Sequence, residues 1–179
     1  MRHLFAAAAC AALLAACTGG GDRPGTPEST PDTGIAAEPS PPHFEGRASV
    51  ILQPAVAYVG RADACPPEPG PPIRVCDPEG QAYRPFGTAR AATLTEVSTE
   101  LDSGHTEWVV TVRFAARSRA NVADASAQAR EHGGAVLVYN EGGTVVLAVR
   151  PSELDAHRTV LGSLDKPTAW SLVRALGGS

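Results

Sequence analysis

The chain has 179 residues, 43% of them hydrophobic, with 16 Pro, 18 Gly and only nine aromatic residues. Fifteen Lys and Arg against 19 Asp and Glu leave a net charge of −4, and no basic stripe gathers, which argues against a nucleic-acid partner. Once the segments below are set aside, one domain of ordinary size remains, which excludes a multidomain enzyme, a repeat array and a multi-span membrane protein.

Residues 1–16 read as a signal peptide. Arg2 supplies the positive start, and the apolar run from Leu4 to Ala16 is too short to span a bilayer as a mature helix. The run ends in Leu14-Ala15-Ala16-Cys17, which resembles the lipobox of bacterial lipoproteins, in which the cysteine takes a diacylglycerol and becomes the first residue. That resemblance implies lipidation at Cys17 and a place on the extracytoplasmic face of the cell membrane. Two acyl chains on one residue meet the requirement for firm anchoring. In residues 18–45, Gly, Pro, Ser and Thr fill 17 of 28 positions without apolar periodicity. The segment from Cys17 to residue 45 is therefore expected to be a disordered tether, and the folded domain to occupy residues 46–179.

In an exported chain Cys65 and Cys76 form an even pair, most simply a disulfide. It closes a loop holding Pro66, Pro67, Pro69, Pro71 and Pro72, a restraint of about 3 kcal/mol. Zinc is the alternative, but two separated thiols with no neighbouring His pair leave its tetrahedron half empty.

The domain then unfolds in order. Residues 48–59 predict a strand, placed at a sheet edge because Pro54 cannot donate to a ladder. Asp77-Pro78-Glu79-Gly80 predicts a turn, and 92–102 another strand. Trp108, Val110, Val112 and Phe114 alternate with Glu107, Thr111 and Arg113, a half-buried strand. Ser118 caps a helix ending before Gly133, its sheet-facing side formed by Ala120, Ala123 and Ala127. Strands at 135–139 and 144–149 flank the hairpin signal Asn140-Glu141-Gly142-Gly143. A strand near 158–161 precedes a final helix with Asp165 as cap, Pro167 in its first turn and Ala169, Val173 and Leu176 on one side. The expected class is α+β, an antiparallel-rich sheet with two helices on one face.

Catalytic patterns are sparse. A Gly-x-Ser-x-Gly elbow does not occur, and Gly19-Gly20-Gly21 lies in the tether, away from any strand-to-helix turn. His43, His105, His132 and His157 are scattered, and Glu96, Glu100, Asp102 and Glu107 are expected on a solvated hairpin instead of in a paired-carboxylate cleft. Asp77 and Glu79 lack the ligand series of a calcium loop. The reading is therefore non-enzymatic, with no metal and no cofactor. Trp108 and Trp170 are expected in the core, whereas Tyr83 and Phe86, in the irregular region after the disulfide loop, are the exposed candidates for touching a partner.

Three pieces in order resemble one family. Val75-Cys76-Asp77-Pro78-Glu79-Gly80-Gln81-Ala82-Tyr83-Arg84-Pro85-Phe86-Gly87, the strand from Glu107 to Phe114, and the closing run from Leu161 to Leu164 with Ala169 to Gly178 resemble the head subdomain of the first extracytoplasmic domain of the SecD protein-export subunit, as in actinobacterial members. The likeness spans about residues 48–179. It departs at Asn140-Glu141-Gly142-Gly143, at Gly162-Ser163-Leu164, and in lacking the six membrane spans that carry SecD's proton-coupled work. What the resemblance implies is a SecD-head-like fold and contact with exported polypeptide or the Sec machinery, with Tyr83, Phe86 and Trp108 as candidate contacts. The alternative is an envelope lipoprotein binding a small ligand or cell-wall component in an apolar pocket between sheet and helices. A hydrolase would need His105 or His157 beside a carboxylate and a hydroxyl.

Overall fold

The computed structural model describes residues 39–58, 65 and 74–177. The expected signal peptide, Cys17, most of the expected tether and the prolines between Cys65 and Cys76 lie outside the described residues. The strands are β1 (His43–Ala57), β2 (Val75–Cys76), β3 (Ala82–Pro85), β4 (Arg90–Leu101), β5 (Trp108–Phe114), β6 (Ala135–Tyr139), β7 (Val145–Val149) and β8 (Arg158–Leu164). The helices are α1 (Arg119–Glu131), entered through a short 3-10 turn at Ala116–Ser118, and α2 (Lys166–Gly177). All eight strands join one antiparallel sheet. Both helices pack on the same face, α1 over β1, β4 and β6, and α2 over β1, β4, β5 and β7. The α+β class with two helices on one face is thus observed.

β1 is longer and more central than the sequence suggested. It begins at His43, inside the stretch read as tether, with His43 opposite Ser98. It is also no edge strand. Leu52 pairs with Arg90 of β4 and with Val138 of β6, and Ala55 pairs with Pro85 of β3 and Ala135 of β6. β3 and β4 therefore lie end to end along one flank and β6 along the other. Pro54 is accommodated because a residue in an antiparallel strand sends its N–H and C=O to the same flank. Its carbonyl accepts the Phe86 N–H at 2.9 Å, so its missing donor falls at the joint between β3 and β4. The Gln53 side chain closes that joint by donating to the Phe86 carbonyl.

A second correction concerns α1. Its buried residues are Val122, Ala125, Ser126 and Ala129, while Ala120, Ala123 and Ala127 face solvent. Both sets have helical spacing, and the one containing Val122 buries more apolar area. Ser126 is tolerated there because its hydroxyl donates to the Pro151 carbonyl at 3.0 Å. Ser118 makes no capping bond to the helix; its Oγ accepts the Thr93 N–H at 2.8 Å and ties the helix entry to β4. α2 buries Ala169, Val173 and Leu176 as expected, with Leu172 beside them.

Three aspartates brace turns. Asp102 accepts the N–H groups of Thr106 and Glu107, Asp155 those of Arg158 and His157, and Asp165 bonds Thr168 at the start of α2. Each carboxyl is held below its ordinary range by these hydrogen bonds: Asp102 chiefly by Thr106, Asp155 by Arg158, and Asp165 by the Thr168 side chain. Groups depressed in the folded state stabilise it above the unfolded value of about 3.9 and lose that contribution as pH falls through the folded values. The thermal midpoint, followed by circular dichroism, should hold down to about pH 4 on account of these groups and then drop. The Asp102→Asn, Asp155→Asn, Asp165→Asn triple variant, which keeps an acceptor oxygen, should drop less steeply; an identical acid profile would refute the assignment.

Candidate functional site

The three candidate contacts are not brought together. Tyr83 lies on β3 opposite Ala57, at the far end of β1 from His43, and packs with a small apolar cluster around Ala55, Leu137 and Val145. Trp108 pairs with Leu101 and Leu164 at the opposite end and packs against the main core. The two face different sides of the sheet, so they cannot form one contact surface.

Nor are Tyr83 and Phe86 exposed, as the sequence suggested. Both are half-buried. Burial first, then the charge of Asp77 and a hydrogen bond to it, push the Tyr83 hydroxyl up to about 12. Asp77 is itself buried and also accepts the Gln81 N–H at 2.8 Å, which locks the turn predicted there. Phe86 meets the His132 ring edge-on at a centroid distance of 4.7 Å. Trp108 stands perpendicular to Trp170 at 6.1 Å, with the Lys166 ammonium 4.5 Å from the Trp170 ring centre and 5.8 Å from that of Trp108. A core role for the two tryptophans fits this packing.

An open surface on the sheet face away from the helices gathers several polar groups. There the Cys65–Cys76 disulfide, with Cα atoms 6.0 Å apart, ties Cys65 to β2, and the β6–β7 turn lines the same surface. Arg74, Val75, Cys76, Tyr139, Thr144 and Val145 surround a shallow depression of about 620 Å³. The Arg74 guanidinium sits 4.1 Å over the Tyr58 ring, a cation–π contact that holds its planar donors in place. Burial raises the Tyr139 phenol above its usual range. This set can bind an anionic or hydrogen-bonding group against an apolar floor. Sequence reasoning missed Tyr58, Arg74 and Tyr139, because elements distant in the chain meet here only in the folded sheet. Between sheet and helices, where the small-ligand reading placed a pocket, the cavity lined by Val50, Leu94, Val112 and Leu176 has about 20 Å³, room for one water at most.

Several titratable groups are held in structural pairs. His43 meets Glu45 at 3.1 Å, and Glu96 bridges to Arg113 at 2.8 Å across β4 and β5. His105 sits in an exposed turn with φ of 54°. His157 donates its backbone N–H to Asp155 at 2.7 Å. No three His, Cys, Asp or Glu side chains converge as a metal site among the described residues. None of the described helices is long and apolar enough to cross a membrane. No protein-family model, curated protein or solved structure matches the chain.

Proposed function

We propose that this chain is a lipid-anchored, extracytoplasmic, non-enzymatic module that binds polypeptides, in association with protein export. The observation that carries the binding half is an antiparallel sheet with both helices on one face. Among the described residues its outermost strands, β2, β7 and β8, each pair on one side only. Exposed backbone donors and acceptors on such strands suit an extended chain. The address rests on Leu14-Ala15-Ala16-Cys17, and the SecD-like order of motifs supports the link to export.

Two measurements on the full chain in bacterial membranes test it. Cys17→Ser should move the protein from the membrane to the soluble fraction; retention would overturn the anchor. A photo-crosslinking residue at Ile51 or Val160, both exposed, should capture exported polypeptide or a component of the export machinery. Crosslinks no stronger than those of an unrelated lipoprotein would overturn the binding half.

A second reading, a lipoprotein that takes a small ligand or cell-wall component, is favoured by the depression beside Arg74. Recovery of a cell-wall fragment with the wild-type chain but not with Arg74→Ala would select it.

A further inference from the structure

We propose that β8 is the docking edge, accepting an extended polypeptide segment as a ninth strand, with an acidic residue of that segment beside Arg158. The inference rests on the polypeptide-binding reading above and names its site and partner chemistry. The Phe114 N–H donates to the His157 carbonyl, and the register pairs Val112 with Thr159 and Val110 with Leu161. Odd-numbered residues of β8 therefore send their backbone groups to β5, and Arg158, Val160 and Gly162 send theirs outward. The outward N–H of Arg158 is taken by Asp155 at 3.0 Å. The Arg158 carbonyl, both groups of Val160 and the Gly162 N–H have no strand partner among the described residues, so they offer donors and acceptors to a strand.

Edge strands are usually blunted by Pro, Lys, a covering element or a bulge. Arg158–Leu164 holds neither Pro nor Lys. Its irregularity comes late, at Gly162 and Ser163, where Ser163 has φ of 59°, leaving Arg158 to Leu161 in regular register. Val160 is 45% exposed and lies opposite Thr111 on the face away from the helices, so an incoming apolar side chain has a neighbour to cover. The Arg158 guanidinium bonds the Thr111 hydroxyl at 3.3 Å, and none of the ion pairs among the described residues involves it. An acidic residue on the added strand supplies the missing charge. A second copy fits less well. Antiparallel pairing centred on Val160 sets Arg158 against Gly162 and leaves both cations without a carboxylate, and so short a ladder buries far less than the roughly 1,200 Å² of a stable interface.

The test uses the mature full chain in detergent and a fluorescent, end-capped heptapeptide alternating Val with Thr and carrying one Glu. Val160→Pro removes an outward N–H together with the exposed valine side chain, at a position where an edge strand tolerates proline, so the fold should survive and peptide anisotropy should report binding at least tenfold weaker. Arg158→Glu should weaken binding severalfold and regain it when the peptide's Glu is replaced by Lys. These two variants act through different groups, so a folding defect in one leaves the other decisive. Unchanged affinity in Val160→Pro, with denatured polypeptide still captured, would overturn the docking edge and leave the polypeptide reading standing. Binding of neither peptide nor denatured polypeptide by the wild-type chain would overturn both. A concentration-dependent dimer abolished by Val160→Pro would assign the edge to a second copy and overturn the polypeptide partner.

Discussion

Replacing Gly134 with alanine is expected to cost about 3 kcal/mol or more, whereas the same change at Gly133 should cost about 1–2 kcal/mol. The two residues end α1 together. Gly133 donates to the Arg130 carbonyl at 3.1 Å and Gly134 to that of Ala129 at 2.8 Å, the paired bonds of a Schellman motif. Their reasons for being glycine differ. Gly133 has φ of +61° and open space around it, so a side chain there is only conformationally strained. A Cβ on Gly134 would stand 2.1 Å from the Ala55 carbonyl oxygen. Ala55 is fully buried and paired with both Pro85 and Ala135, so that oxygen cannot retreat without opening the ladder between β1 and β6. Urea unfolding of both variants, with the disulfide intact, gives the comparison. Equal losses at the two positions would show that the helix moves aside freely and that the close approach is not a constraint.

This junction illustrates what one-dimensional pattern can and cannot express. A glycine ending α1 was legible from Gly133, because helix termination is local chemistry. The close approach of Gly134 to β1 was not, because nothing near residue 134 in the chain refers to residue 55. The hairpin at Asn140 to Gly143, the half-buried strand from Trp108 and the apolar side of α2 were legible for the same local reason. β1 was misplaced because the edge rule for proline assumes a continuous neighbour. Here the neighbouring flank is shared by two strands, and Pro54 sits at their joint. For α1, two sets of small residues at helical spacing competed, and only the packing selects the one with Val122.

The candidate site was less legible than the fold. Tyr83 and Phe86 read as exposed because they follow a Pro-rich loop, yet each is half-covered by partners distant in sequence: Ala55, Leu137 and Val145 for Tyr83, and His132 for Phe86. The depression beside Arg74 and the outward groups of β8 are products of sheet topology. Side-chain alternation tells which residues are buried; it does not tell which strand is outermost.

The central place of β1 sets the remaining large effect: Leu52→Ala should destabilise the domain by about 3–4 kcal/mol, while Ile51→Ala should cost less than about 1 kcal/mol. The neighbours differ by one step of the strand, and successive side chains point to opposite faces. Leu52 is fully buried in the main core with Val122, Val136 and Leu172, whereas Ile51 is 44% exposed on the other face. An edge location for β1 would have predicted a smaller loss at Leu52, since one flank would lack the packing that β6 and α1 supply. Here Leu52 pairs with Arg90 on one side and Val138 on the other, so the cavity left by truncation is walled by ladders that resist collapse. Urea midpoints with unchanged denaturant slopes would isolate the stability term. Comparable losses at Ile51 and Leu52 would mean that the face away from the helices is covered as thoroughly as the core, and the sheet would then have no open face for a partner to meet.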